Sequence, residues 1–149
     1  MNSHSQLPKV SIITPSFNQG QFLEASIRSV LEQDYPNLEY IIVDGGSRDN
    51  SVEVIQKYTD RLAWWVSEKD KGHADALNKG FSRASGEILA WLNSDDIYFP
   101  SAVSEAVSIL QSRPEVGMVY GDADLIDDSG AKVGQFGAKQ TGYRQMLRG

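Results

Sequence analysis

Short apolar runs of this chain end in clusters rich in Asp, Asn, Ser or Gly. Residues 10–13 lead into TPSFN (14–18), residues 40–43 into DGGS (44–47), and residues 88–92 into NSDD (93–96). If the runs are parallel strands, the clusters share one edge of one sheet, where open α/β sheets bind their ligands. The pattern therefore predicts a site for a polyanionic ligand bound together with a metal ion.

Segments with helical periodicity separate these runs. Leu23, Ile27 and Val30 recur at helical spacing, and so do Leu77 and Phe81. Further strands are predicted over residues 62–66 and 116–120. Such alternation favours an α/β fold with a doubly wound, mostly parallel sheet and helices on both faces.

Local signals set the expected ends of these elements. Asn50 and Glu53 have the spacing of a capping box, Gly86 suits a helix C-terminal cap, and Pro100 suits the first turn of a helix. Residues 127–130 are predicted to form a hairpin turn that leads into 132–136.

Composition restricts the class of protein. The chain has 149 residues, 40% of them hydrophobic, a formal net charge of −6 and no cysteine. These values predict a flexible stretch over 1–8 and one domain over 9–149, with no disulfide and no nucleic-acid partner. No run approaches the ~20 apolar residues that a membrane span needs. A cytoplasmic location is therefore expected.

Asp95 and Asp96 are the first candidate ligands. Two adjacent carboxylates after a buried strand repel each other unless a cation or solvent compensates. Mg²⁺ or Mn²⁺ typically takes one or two protein carboxylates, and substrate phosphates and water complete its shell. Alternatively, one carboxylate caps the next helix and the other is solvated.

Asp44 is the second informative carboxylate. At a strand end it can accept the ring N–H of uracil or thymine, a donor that adenine and cytosine lack. Alternatively, Asp44 closes an Asx-turn with Gly46 or Ser47.

Together these segments resemble family-2 glycosyltransferases with the GT-A fold, a Rossmann-like doubly wound sheet. The resemblance rests on the order and spacing of the segments TPSFN (14–18), EYIIVDGGSRD (39–49), DALNKG (75–80), ASGE (84–87) and LNSDD (92–96). It implies transfer of a sugar from a nucleoside diphosphate sugar, with a UDP-sugar favoured, to a carbohydrate or lipid-linked acceptor. It also favours inversion at the anomeric carbon and a role in surface polysaccharide or glycolipid synthesis. The full-length protein would then work in the cytoplasm or at the inner face of the membrane.

The resemblance also assigns roles to residues. The expected metal ligands are Asp95 and Asp96, with Mn²⁺ or Mg²⁺ as the cofactor. The expected donor-binding residues are Thr14, Pro15, Ser16, Asn18, Asp44, Lys71, Asn78, Asn93 and Asp95.

Three features depart from the family pattern. The acidic Asp-x-Asp motif is read as Asn93-Ser94-Asp95, so an amide replaces its first carboxylate. Many members carry an Arg before the asparagine that Asn78 matches, and in this chain Lys71 and His73 are the nearby cationic candidates. The later acidic motif that supplies the general base has no match before Gly149. We therefore expect a donor-binding portion, truncated at its C-terminus, with the base beyond it.

Two other functions remain open from the sequence. A sugar nucleotidyltransferase is less favoured, since residues 14–20 lack the Lys or Arg of a triphosphate loop. A non-catalytic nucleotide-binding module is the stronger alternative. The absence of a Gly-x-Gly-x-x-Gly turn after the first strand disfavours a dehydrogenase.

Overall fold

A computed structural model describes residues 7–137 of the chain. The elements alternate between strand and helix. They are β1 (Val10–Ser16), α1 (Gly20–Leu31), β2 (Leu38–Asp44), α2 (Ser51–Gln56), a 3₁₀ turn (Thr59–Arg61), β3 (Trp64–Ser67), α3 (His73–Arg83), β4 (Ile88–Trp91), α4 (Ala102–Ser112), β5 (Ala123–Ile126) and β6 (Lys132–Phe136).

The main sheet has four parallel strands in the order β3-β2-β1-β4. The chain moves outward from β1 to β3, then returns through α3 to place β4 on the other side of β1. Because parallel crossovers are right-handed, this reversal puts α3 on the opposite face from α1 and α2. The α/β fold class and the mostly parallel sheet are confirmed.

The core lies on both faces of β1 and β2, whose residues alternate between them. Ile13, Ile41 and Val43 cluster with Ala76 of α3. Residues on the opposite face of the same strands, such as Ile12 and Ile42, are fully buried. Leu23 and Ile27 of α1 are fully buried as well. This buried centre fixes the register of β1 and β2 and hence the positions of their carboxyl ends.

The predicted capping bond at Asn50 and the two helix boundaries predicted at Gly86 and Pro100 were wrong. Asn50 precedes α2 but makes no side-chain capping bond, because Asp49 accepts the Ser51 N–H at 3.0 Å instead. Helix α3 ends at Arg83, before Gly86. A Cβ at Gly86 would lie 2.7 Å from the Ser11 nitrogen, so the glycine permits a close backbone approach. Pro100 lies before α4, which begins at Ala102.

The predicted strand over residues 116–120 was also wrong. No strand forms there, and the side chains of Met118 and Tyr120 are 48% and 47% exposed. An apolar run becomes a strand only when a neighbouring backbone pairs with it, and no described strand pairs with these residues. The polar residues 121–124 therefore do not follow a strand, and Asp124 lies within β5. The hairpin turn over 127–130 is confirmed and joins antiparallel β5 and β6.

Two compact units divide the chain, one within residues 1–104 and one within 105–149. The first contains the four-stranded sheet with α1, α2 and α3, and the second contains the β5–β6 hairpin. The expected single domain over 9–149 stays a prediction. The stretch 1–6, within the segment expected to be flexible, lies outside the described residues. Across 7–137, no helix is long and apolar enough to cross a membrane.

Candidate functional site

The ends of β1 and β4 separate at the carboxyl edge of the sheet, and we call the space between them the crevice. Strand β1 pairs with β2 as far as Ser16, but its pairing with β4 stops at Ile13. The strand order reverses at this point, and such switch points are where doubly wound sheets bind ligands. The segments 14–18 and 93–96 lie on the two sides of the crevice.

Asp44 ends β2 and is fully buried. Its Oδ2 accepts the backbone N–H of Gly46 (3.1 Å) and Ser47 (2.9 Å) and the Ser67 hydroxyl (2.6 Å). Its Oδ1 accepts the Ser47 hydroxyl at 2.5 Å. The Asx-turn weighed from the sequence is therefore present. Contact between Asp44 and a nucleobase stays a prediction.

Asn18 connects the loops after β1 and β2. Its φ is +52°, in the left-handed region that asparagine tolerates better than most residues. Its N–H donates to the Ser47 hydroxyl at 2.8 Å, and its Oδ1 accepts the Arg48 N–H at 2.9 Å. Asn18 thus holds the loop that carries the exposed Phe17 beside the Asp44 turn.

Thr14, Pro15 and Ser16 are all buried at the end of β1. The Thr14 hydroxyl lies 2.9 Å from the Tyr40 hydroxyl, and burial, opposed in part by this bond, raises the pKa of Tyr40. The Ser16 hydroxyl differs, because it is buried without any hydrogen-bond partner among the described residues. Buried hydroxyls ordinarily have partners, so this one at the sheet edge is a candidate contact for a water molecule or a ligand atom.

Asn93 opens a turn in which the Asp96 N–H bonds back to its carbonyl at 3.2 Å. The Asn93 amide Nδ2 donates to Asp96 Oδ2 at 2.9 Å. His73 Nε2, at the start of α3, lies 3.0 Å from Asn93 Oδ1. The Ser26 hydroxyl of α1 also donates to the Asn93 backbone carbonyl at 3.1 Å. Asn93 therefore connects β4, α1 and α3.

Asp95 and Asp96 are both exposed at this turn. Across residues 7–137, no group of three or more His, Cys, Asp or Glu side chains could hold a metal ion on its own. Two exposed carboxylates nevertheless fit the usual magnesium or manganese site, where phosphates and water supply the remaining ligands. The donor set is thus compatible with the predicted cofactor.

The other predicted donor-binding residues lie on or before α3. Lys71 is exposed, and its N–H donates to Asp75 Oδ2 at 3.2 Å. Asn78 is exposed in the second turn of α3. The neighbouring Lys79 forms an ion pair with Glu68 at 3.0 Å, which raises the pKa of Lys79. Their roles toward a donor stay predictions.

Ser67 at this edge was missed from the sequence, and Ser47 was considered only as a partner in the Asp44 turn. Ser47 and Ser67 both donate hydroxyl hydrogen bonds to Asp44. Ser67 is the last residue of β3. A search for polar residues at strand ends therefore finds it once the end of β3 is known. His73 was weighed only as a cation, whereas its contact with Asn93 is what locates it at the crevice.

Comparison with known proteins places this geometry in context. The family model for glycosyl transferase family 2 matches residues 11–144. An uncharacterized glycosyltransferase of Rickettsia felis is 36% identical over 129 residues, which are 85% of this chain and 21% of the relative. An uncharacterized glycosyltransferase of Mycobacterium tuberculosis is 39% identical over 116 residues, 76% of this chain and 44% of the relative.

Solved structures share the fold. The mannosyltransferase PcManGT from Pyrobaculum calidifontis, in complex with GDP-Man and Mn²⁺, matches with a TM-score of 0.67 and 28% identity, over 83% of this chain and 37% of that one. TarS from S. aureus matches with a TM-score of 0.64 and 26% identity, over 70% of this chain and 20% of that one. The chain thus spans less than half the length of these relatives.

Proposed function

The chain belongs to glycosyltransferase family 2, and on this premise we propose that it forms the donor-binding half of a sugar-transferring enzyme. The donor is a nucleoside diphosphate sugar, with a UDP-sugar favoured, and the acceptor is a hydroxyl of a carbohydrate or of a lipid-linked molecule. Transfer inverts the anomeric configuration and serves surface polysaccharide or glycolipid synthesis. The full-length protein works in the cytoplasm or at the inner face of the membrane.

The observation that supports this proposal most is the meeting of β1 and β4 residues at one crevice. Ser16 brings a buried hydroxyl without a partner among the described residues, and Asn93 joins His73 to Asp96. A nucleotide in the crevice gives the Ser16 hydroxyl its missing hydrogen bond.

The nucleobase lies on the β2 side in this proposal, where Asp44 meets a ring N–H. Uracil and guanine both carry such a donor, whereas adenine does not. Asp44 is already fully hydrogen-bonded, so a hydroxyl donor such as Ser67 turns away when the base binds. Since PcManGT is in complex with GDP-Man, a GDP-sugar is the donor that competes with a UDP-sugar in the test below.

The diphosphate lies on the β4 side, beside Asp95 and Asp96. A bound Mn²⁺ or Mg²⁺ there would stabilise the negative charge that develops on the departing nucleoside diphosphate. Asp95, the exposed carboxylate that matches the second position of the family motif, is the principal ligand, and Asp96, held by the Asn93 amide, is the second.

The reaction is a direct displacement. The acceptor oxygen forms a bond to the anomeric carbon while the bond to the diphosphate oxygen breaks, and a general base takes the hydroxyl proton. We expect that base in the part of the longer relatives that this chain does not span, beyond Gly149. The chain alone then binds donor without steady turnover.

Calorimetry with UDP, dTDP, GDP and ADP tests the proposal, first with Mn²⁺ or Mg²⁺ and then with a chelator. We expect metal-dependent binding that prefers UDP or dTDP. Equal binding of ADP would remove base selection by Asp44, and preference for GDP would change the donor. Absence of binding to every diphosphate would contradict the donor-binding role, and steady glycoside formation by this chain would contradict the placement of the base.

A further inference from the structure

The contact between His73 and Asn93 determines how the histidine is oriented. His73 Nε2 lies 3.0 Å from Asn93 Oδ1, and Asn93 Nδ2 lies 2.9 Å from Asp96 Oδ2. The two bonds form a chain from α3 through the turn after β4. His73 itself is exposed, so the rest of its ring can meet a ligand.

The donor and acceptor in each of these two hydrogen bonds follow from which atoms can donate. An ionised carboxylate only accepts, so the NH₂ group of Asn93 must face Asp96. The amide oxygen then faces His73, which must donate through Nε2–H. In the neutral imidazole the proton on Nε2 leaves Nδ1 as an acceptor.

An amide suits position 93 better than a carboxylate for this purpose. Only an amide accepts from His73 and donates to Asp96 at the same time, whereas an aspartate would repel Asp96. Asn93 stands where the family has its first carboxylate. This replacement fixes one tautomer of the His73 ring.

We propose that His73 is a donor-contacting residue whose Nδ1 accepts a hydrogen bond from a sugar hydroxyl of the bound nucleotide. This inference rests on the proposed function and adds a specificity-determining residue to the same site. A hydroxyl is selected because it can donate to the Nδ1 lone pair, whereas a fully ionised diphosphate has no proton to donate. The hydroxyl belongs either to the ribose or to the transferred sugar, and the probes below separate these two sources.

The experiment compares wild type, His73→Phe and His73→Gln by calorimetry with Mn²⁺ at about pH 8, where histidine is ordinarily neutral. The ligands are UDP, 2′-deoxy-UDP, 3′-deoxy-UDP, UDP-glucose and pyrophosphate. For a ribose contact, we expect wild type to prefer UDP over one deoxy analogue by about 3- to 10-fold, the value of one hydrogen bond. His73→Phe lowers that ratio toward one, and His73→Gln, which keeps a donor and an acceptor, retains it.

Each outcome bears on the proposal. Loss of affinity in His73→Phe for UDP-glucose but not for UDP supports the contact and assigns the hydroxyl to the transferred sugar. Equal weakening of pyrophosphate and UDP would show a phosphate contact and overturn the hydroxyl assignment. Unchanged affinities in His73→Phe, with wild type binding UDP, would overturn this inference alone, whereas failure of wild type to bind UDP would overturn the proposed function.

A matched variant controls for changes in α3 itself. Ser82 lies exposed on the same helix, and its hydroxyl donates to the Lys79 carbonyl at 2.7 Å. Ser82→Ala should leave every affinity and the UDP preference unchanged. Thermal unfolding of His73→Phe and Ser82→Ala confirms that both variants are folded before affinities are compared.

Discussion

Burial of the Asp44 side chain is tolerated because its carboxylate accepts four hydrogen bonds, from two backbone N–H groups and two serine hydroxyls. An unpaired buried charge would cost several kcal/mol, and each charged hydrogen bond offsets about 1.5–3 kcal/mol of that cost. Ser47 and Ser67 therefore fix the direction of both carboxylate oxygens. A fixed side chain of this kind is what the proposed recognition of a nucleobase by Asp44 requires.

Replacement of Asp95 by Asn tests the metal site. The amide keeps the shape of the side chain but removes the charge that a divalent cation needs. We expect metal-dependent UDP binding to weaken by at least about tenfold, with the fold intact. Calorimetry with Mn²⁺ measures this, and circular dichroism checks the fold. Asp128→Asn, the same change at an exposed hairpin-turn residue, is the control. Equal UDP affinity in Asp95→Asn and Asp128→Asn would remove Asp95 from the site.

Ser16→Ala separates a ligand contact from a structural one. The Ser16 hydroxyl is buried without a partner in the described part of the chain, so its removal should leave stability unchanged or raise it by up to about 1 kcal/mol. UDP affinity should fall by about 3- to 10-fold. Urea unfolding and calorimetry measure the two effects.

Ser11→Ala is the matched control on the same strand. The Ser11 hydroxyl accepts the Gly86 N–H at 2.8 Å and donates to Glu39. Its removal should lower the free energy of unfolding by about 1–3 kcal/mol without changing UDP affinity. A destabilised Ser16→Ala variant with normal UDP affinity would show that Ser16 is structural.

At the scale of elements, Asp49 holds the N-termini of two helices. Its Oδ2 accepts the N–H of Gly20, the first residue of α1, at 2.9 Å, and its Oδ1 accepts the Ser51 N–H of α2 at 3.0 Å. We expect Asp49→Ala to lower the free energy of unfolding by about 1–2 kcal/mol and Asp49→Asn to lose much less. Urea unfolding measures both. Stability of Asp49→Ala equal to wild type would mean that water replaces the carboxylate without cost.

Glu39 joins β1, β2 and the segment before β4 at the amino edge of the sheet. Its carboxylate accepts the Ser11 hydroxyl and the Ser85 N–H and hydroxyl, both of the latter at 2.7 Å. Burial raises the pKa of Glu39, but these bonds and the charge of Lys9 lower it more, so the net pKa lies below the ordinary 4.5. A lowered pKa stabilises the folded state above pH 4.5, and this contribution is lost as the pH falls through the folded-state pKa.

Glu39→Gln tests this pH dependence. Wild type should be more stable than the variant at about pH 7, and the difference should shrink as the pH falls below 4.5. Urea unfolding across this range gives the difference at each pH. Glu115→Gln, at an exposed glutamate, should give a constant difference near zero. A difference for Glu39→Gln that does not change with pH would contradict the assigned cause.

Across the whole molecule, the sequence predicted most reliably what depends on neighbours along the chain. β1, β2, α1 and α3 follow from long apolar patterns, and the 127–130 turn follows from its own residues. The features that the sequence could not predict depend on contacts between residues that are far apart along the chain. Gly86 meets Ser11 across the sheet, and residues 116–120 form no strand because none of the described strands pairs with them.

The candidate site likewise contains features that local sequence predicted and features that depend on long-range contacts. The clusters after β1, β2 and β4 were located from strand ends alone, since parallel strands carry their ends to one edge. The partners within the site required the register of the sheet. Ser67 reaches Asp44 because these residues are paired across β2 and β3, and His73 reaches Asn93 because α3 begins beside the turn after β4.

Hydrogen exchange should separate regions of different stability. β1 lies between two strands and is buried throughout, so its amides, with those of β2, should exchange slowest and only on global unfolding. β5 and β6 form a two-stranded sheet with mostly exposed residues, and such hairpins are marginal on their own. Their amides should exchange much faster.

Peptide-resolved exchange with mass spectrometry measures this order, and the free energy of unfolding in urea gives the limit that the β1 amides should reach. The edge strands β3 and β4 should fall between these extremes, because each pairs on one side only within the described sheet. Protection of β5 and β6 equal to that of β1 would contradict this order, since the hairpin would then open only when the central strands do. Slow exchange in β1 and β2 matters for the site, because these strands hold Ser16 and Asp44 at the crevice.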